Sequence, residues 1–193
     1  MNFLLASNGE MALAAFGVMM RIESFVFMPL SGLVAGVITM VGQNFGAKRY
    51  HRIDDIVKES TKIGVMFILL VSLIILIFGK QILGIFSDDV GVVSMGYSFF
   101  KISLLGYIAL PFVFTSGGAM QGMGNGFYSL IIQTIKMFVL TIPLAILFIK
   151  ILNLEINFIM LSFLISNITA FFISITWYFK SNWRKKYFGL EDN

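Results

Sequence analysis

At 193 residues, with 58% apolar and only 12% charged, the chain is too apolar for an ordinary soluble domain, and its apolar residues fall in runs longer than a globular interior needs. The formal charge of +4 lies beside those runs, with no basic face interleaved with aromatics; it reads as a topology signal and points away from nucleic acid. The absence of cysteine excludes disulfides, thiolate metal sites and thiol chemistry.

In chain order, Met1 to Ala6 is too short to cross a bilayer, which takes about 20 residues, and reads as the tail of a preceding helix. It lacks the cationic start and cleavage site of a signal peptide. Ser7-Asn8-Gly9-Glu10 is turn chemistry. The first whole span runs from about Met11 to Val41, with Arg21 and Glu23 in its first half and Pro29 near its middle, where a kink is expected. Ser31, Gly32, Ala35 and Gly36 form a small-residue face that would admit a neighbouring backbone. Gly42, Gln43, Asn44, Gly46 and Ala47 then read as a tight turn, followed by a basic loop holding Lys48, Arg49, Arg52 and the only histidine, His51, a solvated loop residue.

The second span lies near Ile56 to Phe78, uncharged from Ile63 to Gly79. A connection with Lys80 and the solvated pair Asp88-Asp89 leads to the third span, about Val92 to Met120, with Lys101 near its start and Pro111 midway. Gln121-Gly122-Met123-Gly124-Asn125-Gly126 is a glycine-rich turn. The fourth span, about Phe127 to Ile149, carries Lys136 and Pro143, and the fifth runs from about Phe158 to Phe179. The expected organisation is therefore a helix remnant and outer turn (1–10), a five-helix transmembrane lobe (11–179) and a basic tail (180–193). The fold class is an all-α polytopic membrane bundle.

Five spans alternate sides. The loop at 42–62 and the tail share one side and carry nine Lys and Arg, against Lys80 and Lys150 on the other, with Lys101 just inside a span. The positive-inside rule puts the C-terminus in the cytoplasm and the start outside. An outside start most easily follows an upstream helix, so the chain is expected to be the back portion of a longer transporter; a half-size protein assembling with a partner is the alternative.

Gly-Gln-Asn-x-Gly-Ala followed by basic residues, after a span that carries Arg-Ile-Glu and Pro29, resembles the multidrug and toxic compound extrusion (MATE) family, as does the glycine-rich turn at 121–126. The resemblance is to the second of two six-helix halves. It implies an exporter in the plasma (inner) membrane that alternates access around a cavity between two lobes, coupled to H+ or Na+, with no other cofactor. It further implies the missing N-terminal lobe and amphipathic, cationic small molecules as partners. The signature residues Gly42, Gln43, Asn44, Gly46 and Ala47 would shape the cytoplasmic turn, and bent helices at Pro29, Pro111 and Pro143 fit rocking of a lobe.

A charge at mid-membrane costs about 2.5–3.5 kcal/mol on insertion scales, so each one needs a partner, a cavity or a reach to the surface. Arg21 and Glu23, two residues apart, point to nearly opposite sides of a helix. Glu23 is the one acid well inside a span and is the candidate for the coupling carboxylate; an interfacial pair of Arg21 and Glu23 is the alternative. Lys101 either snorkels to water or pairs with Glu23. Lys136, with Gln133 one turn before it, finds no acid in the cytoplasmic halves of the spans; it faces a hydrated cavity or the missing half, or it snorkels. Ser162, Ser166 and Thr169 share one face of the last span and are expected to bond between helices, with Asn167 nearby as a cavity candidate. Enzyme motifs and a metal site are absent. The rival functions are a lipid-linked oligosaccharide flippase of the same fold, which would want a more cationic cavity, and a non-transporting scaffold or inactive fragment.

Overall fold

The computed structural model describes Leu5 and residues 9–180. The rest of the expected helix remnant and the basic tail beyond Lys180 lie outside those residues. In hydrocarbon every backbone N–H must find its acceptor within its own segment or its sheet, and this chain does so with helices alone among the described residues. They are α1 (Glu10–Gly46), α2 (His51–Gly84), α3 (Val90–Tyr107), α4 (Leu110–Gly122), α5 (Phe127–Thr134), α6 (Ile142–Ile146) and α7 (Phe158–Lys180). Two π-helical stretches, Ile135–Thr141 and Leu147–Ile151, flank α6 and join it to α5 as one span.

Among the described residues, five helical segments are long and apolar enough to cross a membrane: α1, α2, α3, the continuous Phe127–Ile151 segment and α7. Consecutive segments run in opposite directions. One end of the bundle gathers the C-terminus of α1, the N-terminus of α2, the α4–α5 turn and the C-terminus of α7; with Lys48, Arg49 and Arg52 it is the basic end. α1 packs on α2, α3 and α4, while α7 packs on α3, α4 and the fourth span. Two apolar cores result: Phe16, Met19, Phe99 and Met160 build the one at the far end, and Val41, Ile53, Tyr128 and Tyr178 the one at the basic end. Tyr178 locks the basic end by donating its hydroxyl to Asp54 Oδ1 at 3.0 Å, joining α7 to α2. Outward faces such as Met66, Leu70, Leu73 and Ile77 of α2 are exposed apolar surface, as lipid contact requires.

Several expectations need correction. The signature residues Gly42 to Gly46 do not form a turn; they are the last helical residues of α1, and the turn comes at 47–50. Gly42 serves packing instead, where a Cβ would meet Gly122 O at 3.4 Å. A Cβ on Gly122, at the end of α4, would stand 2.7 Å from Ile38 O and 3.1 Å from Gly42 N, so α1 and α4 touch backbone to backbone there. Both basic-end turns then close by the same pattern. Ala47 N–H donates to Gln43 O (3.0 Å) and Arg49 N–H to Asn44 O (2.8 Å); Met123 N–H donates to Ala119 O (3.0 Å) and Asn125 N–H to Met120 O (2.8 Å). Such a C-terminal cap needs one left-handed residue, here Lys48 (φ 58°) and Gly124 (φ 85°).

The three prolines behave differently from one another. Pro29 lies inside an unbroken α1, exposed on its surface. Pro111 does more than kink: the chain breaks at Ile108–Ala109, and Pro111 opens a new helix, α4, where its missing N–H costs nothing. Pro143 opens α6 between the π-helical stretches, whose wider i→i+5 register (Leu152 N–H to Leu147 O, 2.9 Å) re-aims the side chains around it. The small-residue face of α1 has no neighbour: a Cβ on Gly32 or Gly36 would meet nothing within 4 Å, and Ser31 and Ala35 are exposed. The three hydroxyls expected to bond between helices stay within α7. Ser162, Ser166 and Thr169 donate to Ile159, Ser162 and Ile165 carbonyls of their own helix, the nearest acceptors available in an apolar setting. Asp89, expected to be merely solvated, caps α3 by accepting from Gly91 N–H at 2.7 Å and Val92 N–H at 3.2 Å.

Candidate functional site

Side chains four apart on a helix stack on one face, and the elements of this bundle bring such pairs to a common point. Met19, Glu23 and Phe27 share a face of α1; Ser103 and Tyr107 share one of α3; Leu110 and Phe114 share one of α4; Phe163 and Asn167 share one of α7. Together with Gln133 and Lys136 of the fourth span they line a cleft of about 280 Å³. Glu23 lies roughly 20 Å along α1 from its start, so the cleft sits at depth in the bundle.

Four of the five candidate residues meet here: Glu23, Gln133, Lys136 and Asn167. Arg21 does not; about 200° around α1 from Glu23, it is exposed away from the cleft. Pro29, Pro111 and Pro143 and the signature glycines lie outside its lining as well.

Glu23 is the only acid of the lining. Its Oε1 accepts a hydrogen bond from the Tyr107 hydroxyl. Tyr107 can reach it because it is the last residue of α3, just before the chain breaks toward α4. The ring is steadied edge-on against Phe27 (5.4 Å between centroids), which in turn meets Phe114 at 6.2 Å. Sequence reasoning missed Tyr107; the signal was present in its spacing of four from Ser103, and in the break that Pro111 imposes just after it.

Lys136 overturns an expectation. It does share a cleft with an acid: Lys136, the second residue of the first π-helical stretch, lines the same cavity as Glu23. Sequence reasoning had assigned these two to opposite halves of the membrane. They share the cleft without closing to a contact ion pair; the one close Lys–Glu pair given by the described residues, Lys62 Nζ to Glu59 Oε1 at 2.7 Å, is a surface i,i+3 pair elsewhere. Lys101, the other proposed partner of Glu23, instead stands over the Tyr97 ring (5.2 Å), with Lys80 at 5.8 Å from the same ring and the Tyr97 hydroxyl donating to Leu76 O at 2.8 Å.

Two neutral groups complete the cleft. Asn167 is 3% exposed and, among the described residues, its Oδ1 has no hydrogen-bond partner, which is costly for a buried amide. Ser103 donates to Met160 Sδ at 3.4 Å, leaving its oxygen lone pairs free. The rest of the wall is aromatic and thioether: Phe27, Phe114, Phe163, Met19 and Met20. Such a surface suits flat, lipophilic guests, with one carboxylate and one ammonium inside it.

Comparison with known proteins bears on the family and the fold. The MatE family model matches residues 1–147. The multidrug export protein MepA of Staphylococcus aureus (strain NCTC 8325 / PS 47) is 30% identical over 129 residues, which are 65% of this chain and 28% of MepA. The probable multidrug resistance protein NorM of Thermotoga maritima is 27% identical over 149 residues, 77% of this chain and 32% of NorM. The chain thus spans about a third or less of the length of these relatives. A solved outward-facing multidrug resistance MATE family transporter of the MOP superfamily superposes with a TM-score of 0.88 at 20% identity, covering 100% of this chain and 42% of the other. A MOP superfamily transporter from Pyrococcus furiosus gives 0.89 at 21% identity over 96% of this chain and 42% of the other; at such identities the likeness is one of fold. With the family model matched over residues 1–147 and the five-span bundle superposing on solved members, this chain belongs to the MatE (multidrug and toxic compound extrusion) family of membrane transporters.

Proposed function

We propose that the chain supplies one lobe of a multidrug efflux antiporter that exports amphipathic organic compounds by alternating access, driven by H+ or Na+ entering in exchange. The observation that carries this reading is the cleft itself: a lone carboxylate, Glu23, held by Tyr107 at depth in an aromatic and methionine-lined wall. A carboxylate there can take up or release a cation while the apolar wall holds a lipophilic guest. The exposed small-residue face of α1 is where the remaining lobe would approach. The basic end, by the positive-inside rule, faces the cytoplasm of an inner or plasma membrane, with the C-terminus on that side.

The test is efflux of a fluorescent lipophilic cation from cells expressing the complete reading frame that contains this chain. Expression should lower dye retention, and Glu23→Gln should abolish the effect while the protein still reaches the membrane. Unchanged efflux in Glu23→Gln would remove Glu23 from the coupling. The flippase reading is weakened by the position of Arg21: with it outside the cleft, Lys136 is the only cation available to a pyrophosphate.

A further inference from the structure

We infer that Lys136 is a tethered counter-ion for Glu23, so that this cleft exchanges protons and rejects sodium. The inference rests on the export reading above and names its coupling ion. The titratable groups lining the cleft are Glu23 from α1, Tyr107 from α3 and Lys136 from the fourth span; α4 contributes Leu110 and Phe114, and α7 contributes Phe163 and Asn167, none of them ionisable.

With Glu23 ionised and Lys136 charged, the described lining of the cleft is neutral overall. A sodium ion entering it would be an unpaired charge in a partly desolvated site, the situation that buried ions avoid. A proton avoids that difficulty. It bonds covalently to the carboxylate oxygen that Tyr107 leaves free, Oε2, and needs no coordination shell. Once Glu23 is protonated, the Lys136 ammonium has lost its counter-charge and is released to move or to meet a guest.

The same geometry predicts what removing the ammonium does. Lys136→Met keeps the length and apolar stem and leaves a cleft of net charge −1. Around it stand the Glu23 carboxylate, the unpartnered Asn167 Oδ1, the Ser103 hydroxyl oxygen and the Tyr107 oxygen. These are hard oxygen donors of the kind an alkali cation takes. The variant should acquire a sodium site that the native lysine forecloses.

The experiment measures melting temperature of the complete, detergent-purified protein in sodium chloride against choline chloride at equal ionic strength. The native protein should melt at the same temperature in both. Lys136→Met should melt a few degrees higher in sodium, and Lys136→Arg, which keeps the charge, should stay indifferent. A sodium-dependent rise in the native protein overturns the inference, as does a Lys136→Met protein that ignores sodium. Should Lys136→Met not fold, Lys136→Gln takes its place with the same two outcomes. Dye efflux separates this from the broader reading. Efflux driven by a sodium gradient alone would sink the proton assignment and leave the export function standing. No efflux under either gradient would sink the export function, while the sodium melting series still decides the role of Lys136.

Discussion

Tyr107 shows how much one hydroxyl can matter in a membrane cavity. The carboxylate of Glu23 is partly buried and has few donors to replace lost water; the phenol supplies one. Removing that donor strands part of the carboxylate, at about 1–3 kcal/mol. Tyr107→Phe should therefore lower the melting temperature in detergent and weaken coupled efflux, with the protein still inserted. The variant keeps the ring contact with Phe27, so an equal loss from Tyr107→Phe and Tyr107→Leu would mean that packing, and not the hydroxyl, is at work. The meeting of Glu23 and Lys136 in one cleft belongs to this scale too. The sequence does not show it, because which side chains of two spans line one cleft depends on how those spans pack against each other.

At the scale of elements, α1 and α4 meet where their backbones touch. A methyl group on Gly122 would collide with Ile38 O, which belongs to a helix and cannot yield without moving the helix. Gly122→Ala should cost about 1–3 kcal/mol, the range for overpacking a fitted contact, and the loss should appear as a lower melting temperature. A substitution at the equivalent turn should act in the opposite direction. Lys48 adopts left-handed backbone with a Cβ, at about 1–2 kcal/mol, in the position that Gly124 fills without strain. Lys48→Gly should raise the melting temperature slightly, while Gly124→Ala should lower it; the same thermal series reads both. Pro111 illustrates the limit of sequence at this scale. A proline signals an interrupted helix, but whether the chain bends or restarts depends on what packs around the break, here the α3 end carrying Tyr107.

For the whole molecule, the distribution of charge sets the orientation in the bilayer. The chain lacks cysteine, so single cysteines can be placed at Arg49, at the basic end, and at Lys80, at the other. In intact cells a membrane-impermeant maleimide should label Lys80→Cys and leave Arg49→Cys unlabelled until the membrane is opened. The reverse pattern would invert the topology and place the signature end outside. Thread order, span number and the all-helical class were legible because a bilayer demands about 20 apolar residues per crossing and rewards helix for each of them. The glycine-rich turn at 121–126 was legible because left-handed backbone selects glycine.

Composition and hydropathy alone determined that the chain is a five-span helical membrane protein, because solvation by lipid acts on each segment separately and leaves its mark in the segment's own residues. The signature around Gly42 named the family, but not its own geometry: the expected turn is helix, since backbone contact with α4 is decided by a partner far away in sequence. Only the tertiary structure placed Glu23 against Tyr107, brought Lys136 and Asn167 into the same cleft, and put Arg21 outside. Those relations depend on helix azimuth and on a chain break, each fixed by packing between segments and neither by the local pattern of residues.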